Sequence, residues 1–268
     1  MTSFMDAINP VTRIGAVLLL ATPLLVSVDV VSAAVALTAS ILLAPLAGMP
    51  WLQLIRRSWP ILAAAPISGL SMALYGRPEG TEYASFLFAH ITDNSLQLAL
   101  AIMVRVLAIG LPVVVLTARV DPTDFGDGLA QVLRLPARFV IGAVAGVRLL
   151  GLFRRDWASL GRARRARGVA DTSRIRHAAT MSFGLGDTGR LRRWTTMAFA
   201  LLVLAIRRGT KLATAMEARG FGAPGLRTWG RASTVGWRDA VVLMIAAFIS
   251  TAAIAVAVYA GTFRFLGA

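Results

Sequence analysis

The chain has 268 residues, 57% of them hydrophobic, yet its formal net charge is +15. Its mean hydropathy is +0.70 and its isoelectric point about 11.8. Such apolarity leaves too little polar surface for a water-soluble domain, so the apolar and basic residues must be segregated along the chain. They are: 22 of the 28 Lys and Arg fall between Arg119 and Arg238. There is no cysteine, which excludes disulfides, thiolate nucleophiles and Cys-based metal sites. The two histidines, His90 and His177, are far apart, so neither a His base nor a metal-ligand spacing is expected. No catalytic residue, metal site or bound cofactor is predicted.

Ile14 to Pro50 is apolar except for Asp29. About 20 apolar residues of helix cross a bilayer core, so this run is too long for one span and fits two short ones, 11–28 and 30–48. Val28-Asp29-Val30 is the expected tight turn between them. The run has no cleavable signal pattern. Trp59 to Gly76 predicts a third span, with Trp51 and Trp59 near the interface. Leu96 to Ala118 predicts a fourth, interrupted by Arg105, and Asp239 to Thr262 a fifth. Lys and Arg accumulate in cytoplasmic loops, which puts 120–236 inside. Alternation then puts the N-terminus inside and the C-terminus outside. Arg56 and Arg57 fall in an inner 49–58 loop, and 77–93 is an outer loop.

The basic segment carries its own helical pattern. Asp121-Pro122-Thr123-Asp124 is a helix start, with a capping carboxylate, Pro at the first helical position and an acid at the positive helix end. That short amphipathic helix runs to about Leu135. Pro136 opens a longer one, in which Val140, Val144, Val147, Leu150, Phe153, Trp157 and Leu160 recur at steps of three and four, opposite Arg148, Arg155 and Arg162. It ends at Ala166-Arg167-Gly168. Residues Val169 to Gly189 form a Ser-, Thr-, Gly- and Asp-rich connection. A third helix from about Arg190 has Trp194, Met197, Leu201, Leu204, Leu212 and Ala215 as its stripe and ends at Ala218-Arg219-Gly220. Phe221 to Gly225 cannot continue it.

Two amphipathic helices thus end in the same tripeptide, 52 residues apart. Arg in the last turn and Gly just beyond it are also ordinary capping chemistry. The placement at both ends is what makes the repeat specific. An arginine at a helix tip offers a planar donor fork to a carboxylate or carbonyl, so each end is suited to plug a groove in another protein.

These features resemble the transmembrane T component family of energy-coupling factor (ECF) transporters, bacterial importers of vitamins and metal ions. Ala215-Met216-Glu217-Ala218-Arg219-Gly220-Phe221 is similar to the family signature, and Ala166-Arg167-Gly168 to its partner motif. Asn9-Pro10-Val11-Thr12-Arg13, Arg105, Asp121 to Asp124 and Leu135-Pro136 are similar to further family stretches. The resemblance implies an all-α integral membrane protein with about five transmembrane helices plus long amphipathic cytoplasmic coupling helices. The segments would be 1–119 for the N-terminal membrane helices, 120–236 for the coupling helices and 237–268 for the last membrane helix. It further implies two ABC-type ATPase partners, docked by Arg167 and Arg219 with Ala166, Gly168, Ala218 and Gly220 packing tightly around them. A separate substrate-binding S component would hold the cargo, and the lipid bilayer of a bacterial cell membrane would hold the chain. ATP would be bound by the ATPases: there is no phosphate-binding G-x-x-x-x-G-K-[ST] sequence, and Lys211 is the sole lysine.

Two residues outside the motifs have competing readings. Arg105, inside an apolar span, is either functional or structurally paired, for instance with Asp29; the structural reading is preferred because no proton relay or ligand pocket is visible. Glu217 either positions the docking helix or is an exposed carboxylate. Two other functions fit the charge. An enzyme acting on phosphorylated lipids would use the arginines on phosphate, but no nucleophile, metal cluster or His base accompanies them. A protein binding anionic lipid or nucleic acid is allowed by charge alone, but no nucleic-acid module is recognisable.

Overall fold

The structure is a computed structural model that describes residues 4–27, 29–76, 81–86, 89–167, 188–222 and 228–262. It divides into two compact units, Met1–Arg134 with Arg231–Ala268, and Leu135–Gly230. These cuts fall inside the expected 120–236 segment, because residues on both flanks of that segment pack with the membrane helices.

In the first unit a 3-10 turn, Phe4–Ala7, leads into α1, Pro10–Val26, which Asn9 caps by accepting from the Val11 N–H at 3.0 Å. Helix α2, Val30–Leu43, is capped by Asp29, whose carboxylate accepts from the Ser32 N–H at 2.7 Å. The expected 30–48 span therefore stops early. Pro45 and Gly48, the latter at φ +76°, fold 44–48 into a turn closed by Met49 N–H to the Ala44 carbonyl. Helix α3, Trp51–Tyr75, starts eight residues before the expected Trp59, directly after Pro50. The 49–58 loop is thus mostly helix: Leu54 and Ser58 are buried one turn apart, while Arg56 and Arg57 lie on its exposed side.

The expected 77–93 loop contains a hairpin of β1, Glu82–Phe86, and β2, Ala89–Thr92, paired antiparallel with Phe86 opposite Ala89 and an irregularity between Glu82 and Ala84. It is the one sheet among the described residues. Helix α4, Asp93–Thr117, opens on a reciprocal cap in which Ser95 donates its N–H to Thr92 Oγ1 and accepts the Thr92 N–H on its own Oγ. Helix α5, Pro122–Gln131, is shorter than its expected reach to Leu135. The last helix of this unit is Trp237–Tyr259.

Small residues fill the interior. Ala33, Ala36, Ala108 and Ala253 surround Leu24 in one core cluster; Ile8, Ala16, Leu116, Val242 and Ala246 form another; Ala44, Met49, Leu54 and Leu111 a third. A Cβ on Gly110 would lie 2.6 Å from Ile61 Cγ2, so the Ile61 side chain of α3 packs directly onto the Gly110 backbone of α4. Large apolar side chains point outward instead, among them Leu42, Trp59, Ile67, Leu70 and Phe248. In water this arrangement would leave the hydrophobic effect unused, whereas in lipid, where apolar area gains nothing by burial, close contact of small residues is what holds helices together. Helix α4 and the Trp237–Tyr259 helix are long and apolar enough to cross a membrane, and α1 and α2 are shorter apolar helices. At 17 and 14 residues these span about 25 and 21 Å, less than the roughly 30 Å apolar thickness.

The second unit consists of α6, Ala137–Ala166, and α7, Thr188–Ala218. With these named, the Trp237–Tyr259 helix is α8. The α6 and α7 bounds match the expected ones within two residues. Most of the 169–189 connection lies outside the described residues.

Candidate functional site

Helix α6 has 30 residues and α7 has 31. Each is about 45 Å long. Both rods are largely exposed along their apolar residues. Phe139, Leu150, Trp194, Phe199, Leu202 and Ile206 are exposed, and among the described residues of this unit only Val140 and Met197 are buried hydrophobics.

Both motif arginines stand at the C-cap. Arg167 leaves α6 at φ −84°, ψ 5°, with its N–H on the Ala163 carbonyl at 3.1 Å. Ala166 and Arg167 are exposed; Gly168 lies outside the described residues. At the end of α7 the Gly220 N–H reaches the Glu217 carbonyl at 2.9 Å and the Phe221 N–H reaches the Met216 carbonyl at 3.0 Å. These are the two bonds of a Schellman cap, with Arg219 as the last residue of the turn and Gly220 as the left-handed residue, φ +75°. A side chain at Gly220 meets no atom within 4 Å, so glycine is required there by backbone conformation and not by space. Ala218, Arg219, Gly220 and Glu217 are all exposed. Among the described residues no hydrogen-bond or ion-pair partner is found for the guanidinium of Arg167 or Arg219, or for the Glu217 carboxylate.

A contact missed by sequence reasoning ties the rods together. Arg208 on α7 forms a two-point ion pair with Asp156 on α6, its second nitrogen donating at 3.1 Å. The Trp157 and Trp194 rings also meet, with centroids 4.8 Å apart. Asp156 stands eleven residues before Arg167, and Arg208 eleven before Arg219. The same 52-residue interval that relates the two tripeptides therefore relates the two partners. That shared interval was the signal available in the sequence. The Trp pair also lines an open cleft of about 420 Å³ with Gly161, Arg162, Arg165 and Met197.

The remaining singled-out residues lie in the first unit. Arg105 is the central residue of α4. Its guanidinium donates to the carbonyl of Ser27, at the turn between α1 and α2, and interacts electrostatically with Asp29. Asp29 in turn accepts from the Ser32 N–H and hydroxyl at 2.7 Å each, and Ser27, Asp29 and Ser32 are all buried. Arg105 thus closes a polar knot inside an apolar helix cluster, where each unmet group would carry a desolvation cost. Asn9-Pro10-Val11-Thr12-Arg13 opens α1. Asn9, Thr12 and Arg13 are buried, and Arg13 donates to the Met5 carbonyl. Asp121 caps α5 from the surface. The N–H of Thr123 at 2.7 Å, its hydroxyl and the Asp124 N–H hold its carboxyl below the usual carboxylate range.

No group of His, Cys, Asp and Glu suited to a metal ion occurs among the described residues. The profile of one protein family, described as CbiQ, cobalt transport protein, matches residues 1–229. No curated protein matches the chain.

Proposed function

Because this chain belongs to the cobalt transport protein family, the transmembrane T components of ECF transporters, we propose that it is the coupling subunit of an ATP-driven importer. In this reading the chain is a multi-pass protein of the bacterial cell membrane, with its N-terminus and the α6–α7 unit in the cytoplasm and its C-terminus outside. Two ABC-type ATPases grip Arg167 and Arg219. Their closure on ATP displaces α6 and α7, and the displacement reorients a separate substrate-binding S component that releases its cargo inside. Glu217 beside Arg219 orients the second docking tip.

One observation carries this reading: two long helices of one unit each end in an exposed arginine whose guanidinium has no partner among the described residues. An arginine fork left open at a helix end gains most by entering a groove that offers carboxylate or carbonyl oxygens. The unpartnered apolar residues along the rods supply a surface on which another membrane protein can rest. The family's description makes cobalt(II) the first cargo to test.

The test is copurification and uptake. Arg167→Glu together with Arg219→Glu is expected to abolish ATPase association and lower cobalt(II) uptake by at least about tenfold, while the protein still inserts and purifies as a folded species. An electrostatically reversed hydrogen-bonded contact costs at least 2–5 kcal/mol, which sets that scale. Association and uptake that survive the double substitution would sink the reading.

A further inference from the structure

The second unit leaves the first after Arg134 and returns to it at Arg231. Gln131, the last residue of α5, holds both points. Its Nε2 donates to the Arg231 carbonyl at 2.8 Å, and its Oε1 accepts the Ser233 N–H at 2.9 Å. Seven residues earlier on the same helix face, the Asp124 carboxylate meets the Arg231 guanidinium at 2.9 Å. A primary amide donates and accepts through two separate atoms, so one side chain can meet both a carbonyl and an N–H of an extended backbone, as a neighbouring strand does.

The fastening continues inward. Asn9 Nδ2 donates to Ser233 Oγ at 2.8 Å and to the Thr234 carbonyl at 3.3 Å. The Asn9 N–H goes to one oxygen of Asp239 at 2.7 Å, and the Gly236 N–H goes to the other at 2.7 Å. Asp239 is buried at the start of α8, and Asn9 caps α1. An unbroken series of direct hydrogen bonds therefore runs from the end of α5, through residues 231–236, to the first turns of α1 and α8. The outgoing chain is fixed as well. Arg134, at φ +53°, is the only non-glycine residue with positive φ among those described, a conformation that persists only where the surroundings impose it.

We propose that Gln131 is the positioning residue of a clasp that joins the outgoing and returning ends of the α6–α7 unit, so that both deliver one common displacement to α1 and α8. The proposal rests on the coupling function above. Without the clasp the two connections shift independently, and movement received at Arg167 or Arg219 is absorbed in the flanking residues. The clasp stays closed through the cycle; it is a fixed joint, not a hinge.

The experiment uses the full transporter complex in proteoliposomes, with radiolabelled cobalt(II) as the probe cargo and ATP hydrolysis measured in parallel. In Gln131→Ala, uptake per ATP hydrolysed is expected to fall at least about fivefold, with ATPase copurification and hydrolysis near the original level. Gln131→Glu keeps the acceptor for Ser233 and loses the donor, and is expected to fall between. Equal uptake per ATP in Gln131→Ala, or assembly, hydrolysis and uptake lost in proportion, overturns the proposal. The chain has no cysteine, so cysteines placed at Gln131 and Ser233 can be bridged by a short bismaleimide in the purified chain before the complex is assembled, with no competing thiol. Bridged chains are expected to keep their uptake per ATP; loss of uptake on bridging means the clasp must open, and overturns it. Failure of the coupling function shows differently, as an unaltered chain that binds no ATPase. Hydrogen exchange at the Ser233 amide then reads the clasp alone: faster exchange in Gln131→Ala supports it, and unchanged exchange refutes it.

Discussion

The two units use their apolar residues in opposite ways. In the helix cluster of residues 1–134 and 231–268, Ala33, Ala36, Ala108 and Ala253 are buried to 0–3% exposure at the contacts, and the buried Asp29, Ser32, Thr92 and Asp239 are each hydrogen-bonded. Among the described residues of the α6–α7 unit two hydrophobic residues are buried, and large ones such as Phe199 at 67% and Leu150 at 60% are exposed. The first unit is specified by its own packing. The second, among the described residues, is two rods whose contacts include the Asp156–Arg208 ion pair and the Trp157–Trp194 ring contact. A unit that satisfies itself so little has surfaces suited to other molecules, and its substitutions should be felt in partnership before stability.

The largest expected effect is therefore in the first unit. Arg105→Met removes the donor to the Ser27 carbonyl and leaves Asp29 buried without its cation. An acceptor left unsatisfied in the interior costs about 1–3 kcal/mol, and more where a buried charge also loses its counter-charge. Thermal unfolding of the detergent-solubilised protein should show a much lower midpoint, and Asp29→Asn combined with Arg105→Met should recover part of the loss. A midpoint equal to that of the original chain would remove Arg105 from the structural core and return it to the functional candidates. Next in size is Gly110→Val, which drives a branched side chain into Ile61. Overpacking of this kind costs about 1–3 kcal/mol. By contrast, Arg167→Glu and Arg219→Glu should leave the unfolding midpoint nearly unchanged, since both side chains are exposed and have no partner among the described residues. If the tip substitutions destabilise as much as Gly110→Val, the contrast between the units is wrong.

The Asp156–Arg208 pair tests the same contrast inside the second unit. Asp156→Arg and Arg208→Asp should each impair ATP-coupled uptake. The two together, which restore the pair with reversed charges, should return most of it. The pair is partly exposed, so about 1 kcal/mol or less of stability is at stake. Uptake that fails equally in the double variant would show that the identity of each charge matters, not their pairing. The cap of α7 is a smaller matter. Gly220→Ala forces a Cβ into the left-handed region at a cost of about 1–2 kcal/mol. Gly220→Asn, which tolerates that region better, should be milder by limited proteolysis near residues 216–222.

How much of this was legible in the sequence varied with the source of each constraint. Helix α6 and the start of α5 followed closely from Asp121-Pro122, Pro136 and the stripe from Val140 to Leu160, because caps and periodicity are local. The start of α3 at Trp51 did not, since Arg56 and Arg57 resemble a loop until Leu54 and Ser58 are seen buried behind them. The hairpin 82–92 was hidden by its shortness. The tip arginines could be named from the repeated tripeptide, and the Schellman bonds at Met216 and Glu217 are what capping chemistry leads one to expect. The Asp156–Arg208 pair and the Gln131 clasp depend on residues 52 and about 100 positions apart, respectively. No local pattern encodes such contacts; only the matching interval to the tripeptides hinted at the first.

The smallest effect concerns the start of α5, where the first unit hands the chain towards the second. The Asp121 carboxyl is held below its ordinary pKa, first by the Thr123 N–H and then by the Thr123 hydroxyl, with a further contribution from Arg231. A folded-state pKa below the unfolded value means that the cap's contribution is fully present above the ordinary carboxylate pKa of about 3.9 and is lost as pH falls through the depressed value. The cap should therefore be indifferent to pH between about 5 and 8 and weaken only in stronger acid. Asp121→Asn keeps a capping oxygen but does not titrate, so below pH 4 the fraying of α5, read by hydrogen exchange at Thr123 and Asp124, should become slower in the variant than in the original chain. If both chains fray alike as pH falls, the weakening lies outside the Asp121 cap.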